Sequence, residues 1–518
     1  MKICIIGGGT AGWLAANYIN TMQPEHELTV VESSKIGIIG AGEGSTGVFS
    51  SVIHQGLKIG FEEFMLGAKT TQKMGIRFHN WQGDGRSYIA PLDNTDTSLN
   101  ESWDLSLMYH TAQYGGKMAY SSTVNGVLGA KGLSSMHSVR PDVVHRHSYH
   151  FDGHEVGKFL KSVLQGRIGS ALKVIDSEVI AVNQDEQGYV RSVKLKTGQA
   201  IKADVWVDAS GFARVLGKYM NNGWHSYRDF LTCNTAIPFL LPHGDRIDPL
   251  TEAYALSSGW MWQIPTQDRR GCGYVFDSNF ITEDQALKEI ESVLGRKVDP
   301  IKVIKFEPGR YERTFVKNTV TIGLAQSFLE PLQATSIHGT IGILYDMMNY
   351  WLRPWGIASD IEADKLNTNV ATAIDYFADL LQLHYRGGRS DTDFWRHTQQ
   401  LPERPHLIYL KNVCEHRWPN NKDWTHGYGA GYGVFIYPLL EYGWLKHPRD
   451  YLNYVTADNI EQSVREKYLT EQNSITNVTS QALDHTVLIS RIRTTGQLKP
   501  PIESYSINQQ QLHPLLRF

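Results

Sequence analysis

A strand, a glycine-rich turn, a helix and a second strand open the chain. The apolar run Lys2–Ile6 leads into Gly-Gly-Gly-Thr-Ala-Gly, and apolar positions at helical spacing continue to Ile19. The next apolar run, Leu28–Val31, ends at Glu32, 20 residues beyond Gly12. This order predicts a Rossmann-type βαβ unit that binds a dinucleotide, with the Glu32 carboxylate accepting hydrogen bonds from a ribose.

The residues of the turn have different roles in the predicted unit. Gly7 permits a tight turn, Gly9 lets a pyrophosphate approach the backbone, and Gly12 lets the helix pack closely on the strand. The helix begins near Thr10 and Ala11, where free N–H groups and the helix dipole favour an anion. We therefore expect the phosphates of a cofactor to lie at this helix N-terminus.

Two later apolar strands predict that the same nucleotide fold continues far along the chain. The first ends in Asp-x-x-Gly at Asp208, and the second ends at Gly323. The glycine-rich stretch 427–433 lacks a preceding apolar run, so we interpret it as a loop and not as a second nucleotide turn. The sequence therefore predicts one nucleotide-binding fold that is interrupted by long insertions. This organisation resembles that of flavoprotein monooxygenases, in which such returning strands complete an FAD site.

The predicted domain organisation is discontinuous. The C-terminal part is rich in helical patterns and aromatic side chains, which predicts a mainly helical subdomain that binds the substrate. The predicted ranges are 1–50, 150–225 and 300–345 for the FAD-binding module, 51–149 and 226–299 for the insertions, and 346–518 for the helical subdomain.

Composition excludes several classes of function. The 518 residues include 41% hydrophobic positions, enough for a sizeable core, and 50 Lys+Arg against 53 Asp+Glu leave a net charge of −3. This balance argues against binding to nucleic acid or to an anionic membrane. The four cysteines are widely spaced and indicate neither a disulfide framework nor a metal site. Without a visible signal peptide or membrane-spanning run, we expect a cytoplasmic protein.

Four further segments carry motifs of one enzyme family. They are Gly40–Thr46 (GAGEGST), Lys73–Trp81 (KMGIRFHNW), Gly259–Pro265 (GWMWQIP) and Glu330–Ser336 (EPLQATS). With the turn at Gly7–Trp13, they resemble the nucleotide loop, flavin strap, lysine segment, WxWxIP signature and PLExT block of the flavin-dependent halogenases, of which tryptophan halogenases are the best-known members. The resemblance ends near residue 400, and substrate choice is usually made beyond that point.

The resemblance implies both a fold and a chemistry. The family has the FAD-binding Rossmann-type α/β fold of the flavin monooxygenase superfamily, with an added mixed sheet and a mainly helical C-terminal substrate subdomain. Its members use FADH2 from a separate flavin reductase, together with O2 and a halide ion, to make hypohalous acid. Lys73 would guide this oxidant to an electron-rich aromatic small molecule. No metal is implied, and a homo-oligomer stays an open alternative.

Matching family positions supply the predicted site residues. Lys73 and Gln333 would be catalytic, and the backbone N–H groups of Thr335 and Ser336 would hold the halide. The signature residues, to which we assign a structural role, are Trp260, Trp262, Ile264 and Pro265. The predicted cofactor-binding residues are Gly7, Gly9, Thr10, Ala11, Gly12, Glu32, Gly40, Ala41, Glu43, Val179, Asp208, Gly323, Leu324 and Ile337.

One position departs from the family pattern. The glutamate of the family's PLE motif is Gln333 here, whereas Glu330 is close in sequence but does not occupy the motif position. Glutamine keeps a carbonyl acceptor and adds an NH2 donor, but it cannot carry negative charge. We therefore expect an active enzyme that chlorinates slowly and favours bromide, iodide and electron-rich arenes.

Each assignment has a plainer alternative. A lysine is usually a solvated surface residue, as we expect for Lys69, and Thr335 could cap an ordinary connection between a strand and a helix. Two tryptophans at positions i and i+2 of a strand usually belong to a core. An aromatic hydroxylase and a non-catalytic flavin-binding protein are the competing functions. Lys73 and the tryptophan pair favour the halogenase, and Gln333 alone favours a non-catalytic protein.

Aromatic residues and long polar segments complete the picture. The aromatic side chains of the C-terminal part could line a substrate pocket or form the core of the helical subdomain, and the core is the favoured interpretation for each. They are Trp395, Trp418, Trp424, Tyr432, Phe435, Tyr437, Tyr442 and Trp444. The segments Ser87–Trp103 and Gly115–Ser134 are long and polar, so we predict loops that could act as lids.

Overall fold

The opening strand of the chain lies inside a six-stranded sheet, which we call the nucleotide sheet. Neighbouring strands are parallel, except for the antiparallel pair at one edge. Because central strands of such a sheet are covered on both faces, the run Ile3–Ile6 is apolar without alternation and fully buried. Across the sheet, the strands are Phe315–Val316, Thr319–Thr321, Val205–Asp208, Lys2–Ile6, Glu27–Glu32 and Lys173–Asp176.

Two helices cover one another beside this sheet. The first, Thr10–Met22, follows the glycine-rich turn, and the second is Gly153–Ile168. The Asn17 side chain donates hydrogen bonds to the backbone carbonyls of Trp13 and Leu160, each at 2.9 Å, and so joins the two helices. The computed structural model describes residues 1–37, 41–92, 105–138, 144, 146–424, 432–445 and 460–496.

A seven-stranded mixed sheet joins the two insertions. Leu250–Leu256 pairs in parallel with Gly75–His79, and the other neighbouring strands are antiparallel. One edge strand, Ile304–Lys305, comes from a segment that the sequence assigns to the FAD-binding module. In order, the strands are Ile304–Lys305, Thr235–Leu241, Arg270–Phe276, Gly259–Pro265, Leu250–Leu256, Gly75–His79 and Ser87–Pro91.

A small three-stranded sheet connects the two large ones. Its middle strand, Ser148–Phe151, pairs with Glu43–Gly44 on one side and with Thr71–Lys73 on the other. The flavin-strap segment and the lysine segment therefore share one sheet. The other strands are Val179–Gln184, Val190–Leu195, Ala200–Ile201, Trp224–Ser226, Gly309–Tyr311, Ser327–Phe328, Leu352–Arg353, Gly356–Ile357, Leu133–His137 and Ala482–Asp484.

The C-terminal part is mainly helical over its described residues. Its helices are Asp360–Tyr385, Asp393–Gln400, Pro405–His416, Tyr432–Glu441, Ile460–Gln481 and His485–Thr495. The remaining helices of four or more residues are Gly47–Ser51, Val52–Gly56, Phe61–Gly67, Leu105–Tyr114, Gly116–Ser122, Val124–Lys131, Glu283–Leu294, Thr335–Asp346 and Met347–Trp351. None of the helices among the described residues has the length and apolar character to cross a membrane.

The polar segment after Gly115 is helical and not the predicted loop. A 3₁₀ helix spans Gly116–Ser122 and an α-helix spans Val124–Lys131. The Thr123 side chain caps the α-helix by accepting a hydrogen bond from the Gly126 N–H, and Gly132, at φ 70°, ends it. Polar residues therefore serve as helix caps here. Ser87–Pro91 is also a strand, whereas residues 93–103 lie outside the described residues.

Aromatic side chains of the C-terminal part belong to the core, in agreement with the favoured interpretation. Trp395, Trp418 and Phe435 are fully buried. Trp395 packs edge-on against Trp81 and donates its indole N–H to the Leu256 carbonyl at 2.8 Å. A tryptophan that is buried in this way holds the helical subdomain on the seven-stranded sheet. The Tyr432 side chain lies outside the described residues.

Candidate active site

The glycine-rich turn is closed by protein atoms at Gly7, Gly8 and Gly12 and is open at Gly9. Gly7 has φ 117°, and a β-carbon there would overlap the backbone of Ala209. A β-carbon on Gly12 would overlap the Gly7 carbonyl oxygen, whereas one on Gly9 would meet no atom within 4 Å. Because no protein atom packs against the open side of Gly9, a ligand can occupy the space there. The helix that follows has Gly9 as its N-cap, without a side-chain hydrogen bond.

The Glu32 carboxylate lies against this turn. It accepts hydrogen bonds from the Trp13 indole N–H at 3.2 Å and from the Lys161 ammonium at 2.5 Å. A β-carbon on Gly8 would overlap the Glu32 side chain, which places the carboxylate directly behind the turn. The sequence did not reveal the contacts of Glu32 with Lys161 and Trp13. Lys161 lies on the helix Gly153–Ile168, which is far from Glu32 along the chain.

The other residues expected to bind a cofactor differ in how far their groups are already engaged by the protein. The Asp208 carboxylate accepts hydrogen bonds from the backbone N–H groups of Ser210, Leu216 and Gly217 at 2.7–3.0 Å. It therefore shapes the loop after its strand, and its oxygens are already engaged by the protein. Gly323, at φ 59°, lies next to Ala11, where a β-carbon would come within 3.0 Å of the Ala11 side chain.

Three further cofactor predictions fall on less informative positions. Val179 begins a strand of a separate three-stranded sheet and is half-buried. Leu324 is half-buried in the short 3₁₀ turn Gly323–Ala325. Gly40 lies outside the described residues, so its predicted contact with the flavin has no structural counterpart here.

Glu43 in the flavin strap is a half-buried residue whose carboxyl group is enclosed by the protein. Burial, reinforced by the nearby Asp152 carboxylate, raises the pKa of Glu43 to about 7. A β-carbon on Gly153 would overlap the Glu43 carboxylate, so the strap lies directly on the start of the helix Gly153–Ile168. The Ala41 carbonyl, also in the strap, accepts a hydrogen bond from the Trp262 indole N–H at 3.1 Å.

Lys73 is buried at the end of the strand Thr71–Lys73, with 1% of its surface exposed. Its ammonium has no ion pair or hydrogen bond with any residue in the described ranges. Burial lowers the pKa of Lys73 to about 7, because the charged form loses its hydration. A β-carbon on the strap residue Gly44 would lie 2.8 Å from the Lys73 Nζ. The cation therefore lies directly against the strap, which excludes the surface interpretation.

Polar side chains connect the strap to the strand that pairs with the lysine strand, and to the predicted halide helix. The Ser45 and Ser148 hydroxyls lie 2.6 Å apart, and the Ser148 hydroxyl donates to the Thr46 carbonyl at 2.7 Å. The Thr46 hydroxyl lies 3.1 Å from Nδ1 of His338, which belongs to the helix Thr335–Asp346. The strap thus contacts both the strand Ser148–Phe151, which pairs with the strand of Lys73, and the first turns of this helix.

The predicted halide site lies at an uncapped helix N-terminus. A 3₁₀ turn, Pro331–Gln333, leads through Ala334 at φ 55° into the helix Thr335–Asp346. Ala334 is the N-cap and offers no side-chain hydrogen bond, so Thr335 does not cap the helix. Thr335 is buried and Ser336 is exposed. First-turn N–H groups without a cap, together with the helix dipole, favour an anion.

The signature strand Gly259–Pro265 ties these segments together. The Trp260 indole N–H donates to the Glu330 carboxylate at 2.8 Å, just before the 3₁₀ turn, while Trp262 donates to the strap. The two rings lie 6.1 Å apart and are buried. The carbonyl of Pro265 accepts from the Thr71 hydroxyl at 2.5 Å, and Ile264 packs beside the strap at Gly42.

Glu330 is a buried carboxyl group of the site to which the sequence analysis assigned no role. It accepts hydrogen bonds from the Trp260 indole and from the Tyr385 hydroxyl, and burial raises its pKa to about 7. The partner hydroxyl is 55 residues away along the chain. Because burial favours the neutral acid, Glu330 is poorly suited to replace the missing charge at Gln333.

Gln333 has a specific partner that the sequence also did not reveal. Its amide nitrogen lies 2.7 Å from Nε2 of the buried residue His384, in the long helix Asp360–Tyr385. The His384 ring stacks on Phe78, which lies five residues after Lys73 in the chain. The lysine segment and the Gln333 turn therefore meet at His384. Ile337, in the first turn of the helix Thr335–Asp346, is buried in the main hydrophobic core.

The residues present fit an FAD cofactor. The open position at Gly9, the uncapped helix at Thr10 and the carboxylate of Glu32 offer space, free N–H donors and an acceptor to a dinucleotide. Among the described residues, no group of three or more histidine, cysteine, aspartate or glutamate side chains could hold a metal ion. The arrangement can therefore bring a flavin, an anion and a buried lysine to one region.

Comparison with known proteins identifies this arrangement. The sequence model of the tryptophan halogenase family matches residues 2–427. Tryptophan 7-halogenase RebH of Lentzea aerocolonigenes is 32% identical over 427 residues, which cover 77% of this chain and 79% of RebH. Tryptophan 6-halogenase ThaL of Streptomyces albogriseolus is 29% identical, with 77% and 79% covered.

Solved structures share the fold. Tar14, a tryptophan C-6 flavin-dependent halogenase (chlorinase) from taromycin biosynthesis, superimposes with a TM-score of 0.84 and is 26% identical. The match covers 95% of this chain and 100% of Tar14. A tryptophan halogenase from Shewanella frigidimarina gives a TM-score of 0.86 at 20% identity, with 97% and 98% covered, which supports the fold alone.

Proposed function

The chain belongs to the tryptophan halogenase family and is a flavin-dependent halogenase, and from this premise we propose its reaction. It halogenates an electron-rich aromatic small molecule with hypohalous acid that Lys73 directs to the substrate. The relatives RebH and ThaL are named as tryptophan halogenases, so the indole of tryptophan is the first arene to test. The observation that carries the proposal is the buried Lys73 ammonium against the flavin strap.

FAD bound at the glycine-rich turn supplies, in its reduced form and with O2, the oxidising power that turns a halide ion into hypohalous acid. Gly9 leaves space for the pyrophosphate, and the N–H groups near Thr10 neutralise its charge. The half-buried Glu32 orients the ribose from behind the turn. A separate flavin reductase provides the reduced cofactor, and because such a reductase draws on NADH, we propose that the enzyme acts in the cytoplasm.

The halide is held by the backbone N–H groups of Thr335 and Ser336. These donors lie in the first helical turn and have no side-chain cap, so they are free to bind an anion. Lys73 and the halide helix are connected through the strap by the Thr46–His338 contact.

Lys73 acts on the hypohalous acid in one of two protonation states. Its ammonium can donate a hydrogen bond to the oxygen, which makes the halogen more electrophilic. Its neutral amine can instead take up the halogen and release water. The arene carbon then forms the new carbon–halogen bond and loses its proton. A pKa of about 7 keeps both states of Lys73 available near neutral pH.

Gln333 supplies a neutral acceptor where family members carry a carboxylate. It cannot hold the proton that the arene loses, and it cannot stabilise the Lys73 ammonium by charge. We therefore propose that chlorination is slow and that bromide, iodide and activated rings are preferred. Bromide and iodide are more easily oxidised than chloride, and an electron-rich ring needs a weaker electrophile.

A product assay tests the proposed function. The purified protein is incubated with FAD, a flavin reductase, NADH and one halide at a time, together with tryptophan, simple indoles or phenols. Mass spectra should contain a product in which bromine replaces hydrogen, recognised by its paired isotope peaks. A product with one added oxygen instead would identify an aromatic hydroxylase, and the absence of both across the panel would favour a non-catalytic flavin-binding protein.

A further inference from the structure

The side-chain amide of Gln333 has two chemically different ends, so its orientation matters. The carboxylate of a glutamate at the same position has two equivalent oxygens. A carboxylate presents two equivalent oxygens, whereas an amide presents one donor end and one acceptor end. Turning the amide by half a revolution exchanges the end that meets a ligand. The contacts of Gln333 therefore decide whether the site offers a hydrogen-bond donor or an acceptor.

His384 contacts the donor end of this amide. The Gln333 nitrogen Nε2 lies 2.7 Å from the His384 nitrogen Nε2. An amide nitrogen can only donate, so the imidazole nitrogen that it meets must carry a lone pair. The carbonyl oxygen of Gln333 has no hydrogen bond to a residue in the described ranges, and this end of the amide is available to a ligand.

The His384 ring is held in one orientation by its neighbours. It stacks on Phe78 with ring centroids 4.7 Å apart, and the edge of Trp81 meets it at 5.5 Å. Its other nitrogen, Nδ1, lies 2.9 Å from the Tyr442 hydroxyl and 3.3 Å from the Tyr88 hydroxyl. Rotating the ring would break these hydrogen bonds in a fully buried position.

The same contacts fix the protonation of His384. Burial lowers the pKa of His384 to about 3, so the ring is neutral and carries one proton. Since Nε2 accepts from Gln333, the proton lies on Nδ1 and is donated to the Tyr442 hydroxyl. The Tyr442 hydroxyl also lies 3.0 Å from the Tyr88 hydroxyl, and either oxygen can donate across this contact.

We propose that His384 is a positioning residue that turns the Gln333 carbonyl, and not its NH2 group, toward the oxidant and the arene. This inference rests on the proposed function and adds a specific role for a residue remote in sequence. The carbonyl oxygen then accepts a hydrogen bond from the O–H of hypohalous acid. A reversed amide would direct a donor at the oxidant instead and would misalign it.

The test compares one substitution on two backgrounds. His384→Phe removes the lone pair and keeps an aromatic ring, so on the native Gln333 background kcat for bromination should fall at least about tenfold. On the Gln333→Glu background, the same substitution should reduce kcat by less than about threefold, because a carboxylate has no wrong orientation. KM for the arene should change little on either background.

Two further variants serve as controls. His384→Gln restores an acceptor of similar reach and should recover most of the kcat lost in His384→Phe. His397→Phe makes the same chemical change on the helix Asp393–Gln400, away from Gln333, and should leave kcat near the native value. Equal losses from His384→Phe on both backgrounds, or no recovery in His384→Gln, would overturn the proposal, because a purely structural role predicts both.

A spectroscopic measurement tests the proposal without any reaction. Nitrogen NMR of the ¹⁵N-histidine-labelled protein should identify His384 as a neutral ring protonated at Nδ1. In Gln333→Glu the proton should move to Nε2, because a carboxylate can only accept. A native ring protonated at Nε2 would overturn the inference, even in an active enzyme. The expected tautomer in a protein that fails to halogenate would instead leave the positioning contact intact and reject the proposed function.

Discussion

At the scale of single residues, the chemistry of the site depends on Lys73 being buried and forming no ion pair with a carboxylate of the described residues. The family motif that Glu330–Ser336 resembles has a glutamate at this position, whereas this chain has the amide of Gln333. Burial lowers the pKa of the Lys73 ammonium to about 7, and no carboxylate of the described residues raises it again. This balance makes Lys73 a titrating group near neutral pH, and it should be visible in stability as well as in activity.

The stability of Lys73→Met relative to the native protein should depend on pH. An unfolded lysine keeps its proton up to about pH 10.5, whereas the folded Lys73 loses it near pH 7. Below pH 7, the buried charge costs the native protein roughly 3–5 kcal/mol, and this cost disappears as pH rises to 10.5. Urea unfolding should find Lys73→Met more stable at pH 6.5, with a smaller gap at pH 9.5.

The exposed Lys69 provides the matched control. Its side chain is half exposed and lies 3.6 Å from Asp268, so Lys69→Met should alter stability little and without this pH dependence. A stability gap between Lys73→Met and the native protein that stays constant from pH 6.5 to 9.5 would mean that Lys73 does not titrate in this window.

Gln333→Glu should raise chlorination relative to bromination several-fold. A carboxylate in this buried region raises the pKa of the Lys73 ammonium, so more of the enzyme can donate a hydrogen bond to hypochlorous acid at neutral pH. Product ratios from a mixture of equal chloride and bromide provide the measurement. Gln400→Glu, at an exposed helix end, is the control. An unchanged ratio would show that position 333 does not set the halide preference.

The sequence could predict Lys73, Gln333 and the uncapped N–H groups because each lies in a local motif. It could not predict the partners of these residues, because Gln333 meets His384 across 51 positions and Glu330 meets Tyr385 across 55. Such pairings depend on how the long helix Asp360–Tyr385 packs on the seven-stranded sheet. No local pattern of hydrophobic and polar residues records that packing.

At the scale of elements, different glycines of the glycine-rich turn serve the packing of the fold and the binding of a ligand. Gly12 is needed for close packing of the helix on the strand, whereas Gly9 faces open space. The sequence could predict this unit because a strand, turn and helix follow one another within 20 residues. It could not predict the three-stranded sheet of the strap, because strands of two to four residues carry no periodicity.

Substitutions at these two glycines should therefore have different effects. Gly9→Val should leave the melting temperature nearly unchanged and weaken FAD binding by more than about tenfold, because the side chain fills the space for the pyrophosphate. Gly12→Val should lower the melting temperature by several degrees, since its β-carbon overlaps the Gly7 carbonyl. Calorimetry and flavin fluorescence titration measure both quantities. Equal FAD affinity in Gly9→Val and the native protein would place the pyrophosphate elsewhere.

At the scale of the whole molecule, the two insertions form one sheet that brings the lysine strand to the signature strand. The order of the strands joins Gly75–His79 to Leu250–Leu256 across 175 positions, a register that no local pattern specifies. The sequence nevertheless predicted the mixed sheet, through its resemblance to the family. The predicted domain boundaries were less accurate at the edge strand Ile304–Lys305. The sequence assigned this strand to the FAD-binding module, but it pairs with the seven-stranded sheet and not with the nucleotide sheet.

The protein should depend on a second enzyme for electrons. The sequence contains one nucleotide-binding turn, which we assign to FAD, so the purified protein with FAD should not oxidise NADH at an appreciable rate. Adding a flavin reductase should start NADH consumption and product formation together. Absorbance at the NADH band follows the first, and chromatography follows the second. Rapid NADH oxidation by the protein and FAD alone would reject the two-component scheme.

The mass spectrum of a single turnover tests the central claim, that Lys73 directs a halogen and not an oxygen atom to an arene. Native protein and Lys73→Met are each mixed with chemically reduced FAD, bromide and tryptophan or the best arene of the panel, and O2 is then admitted. Both proteins should reoxidise the flavin at similar rates, and only the native protein should yield the brominated arene. Equal bromination by both proteins, or an oxygenated product from the native protein, would contradict the account.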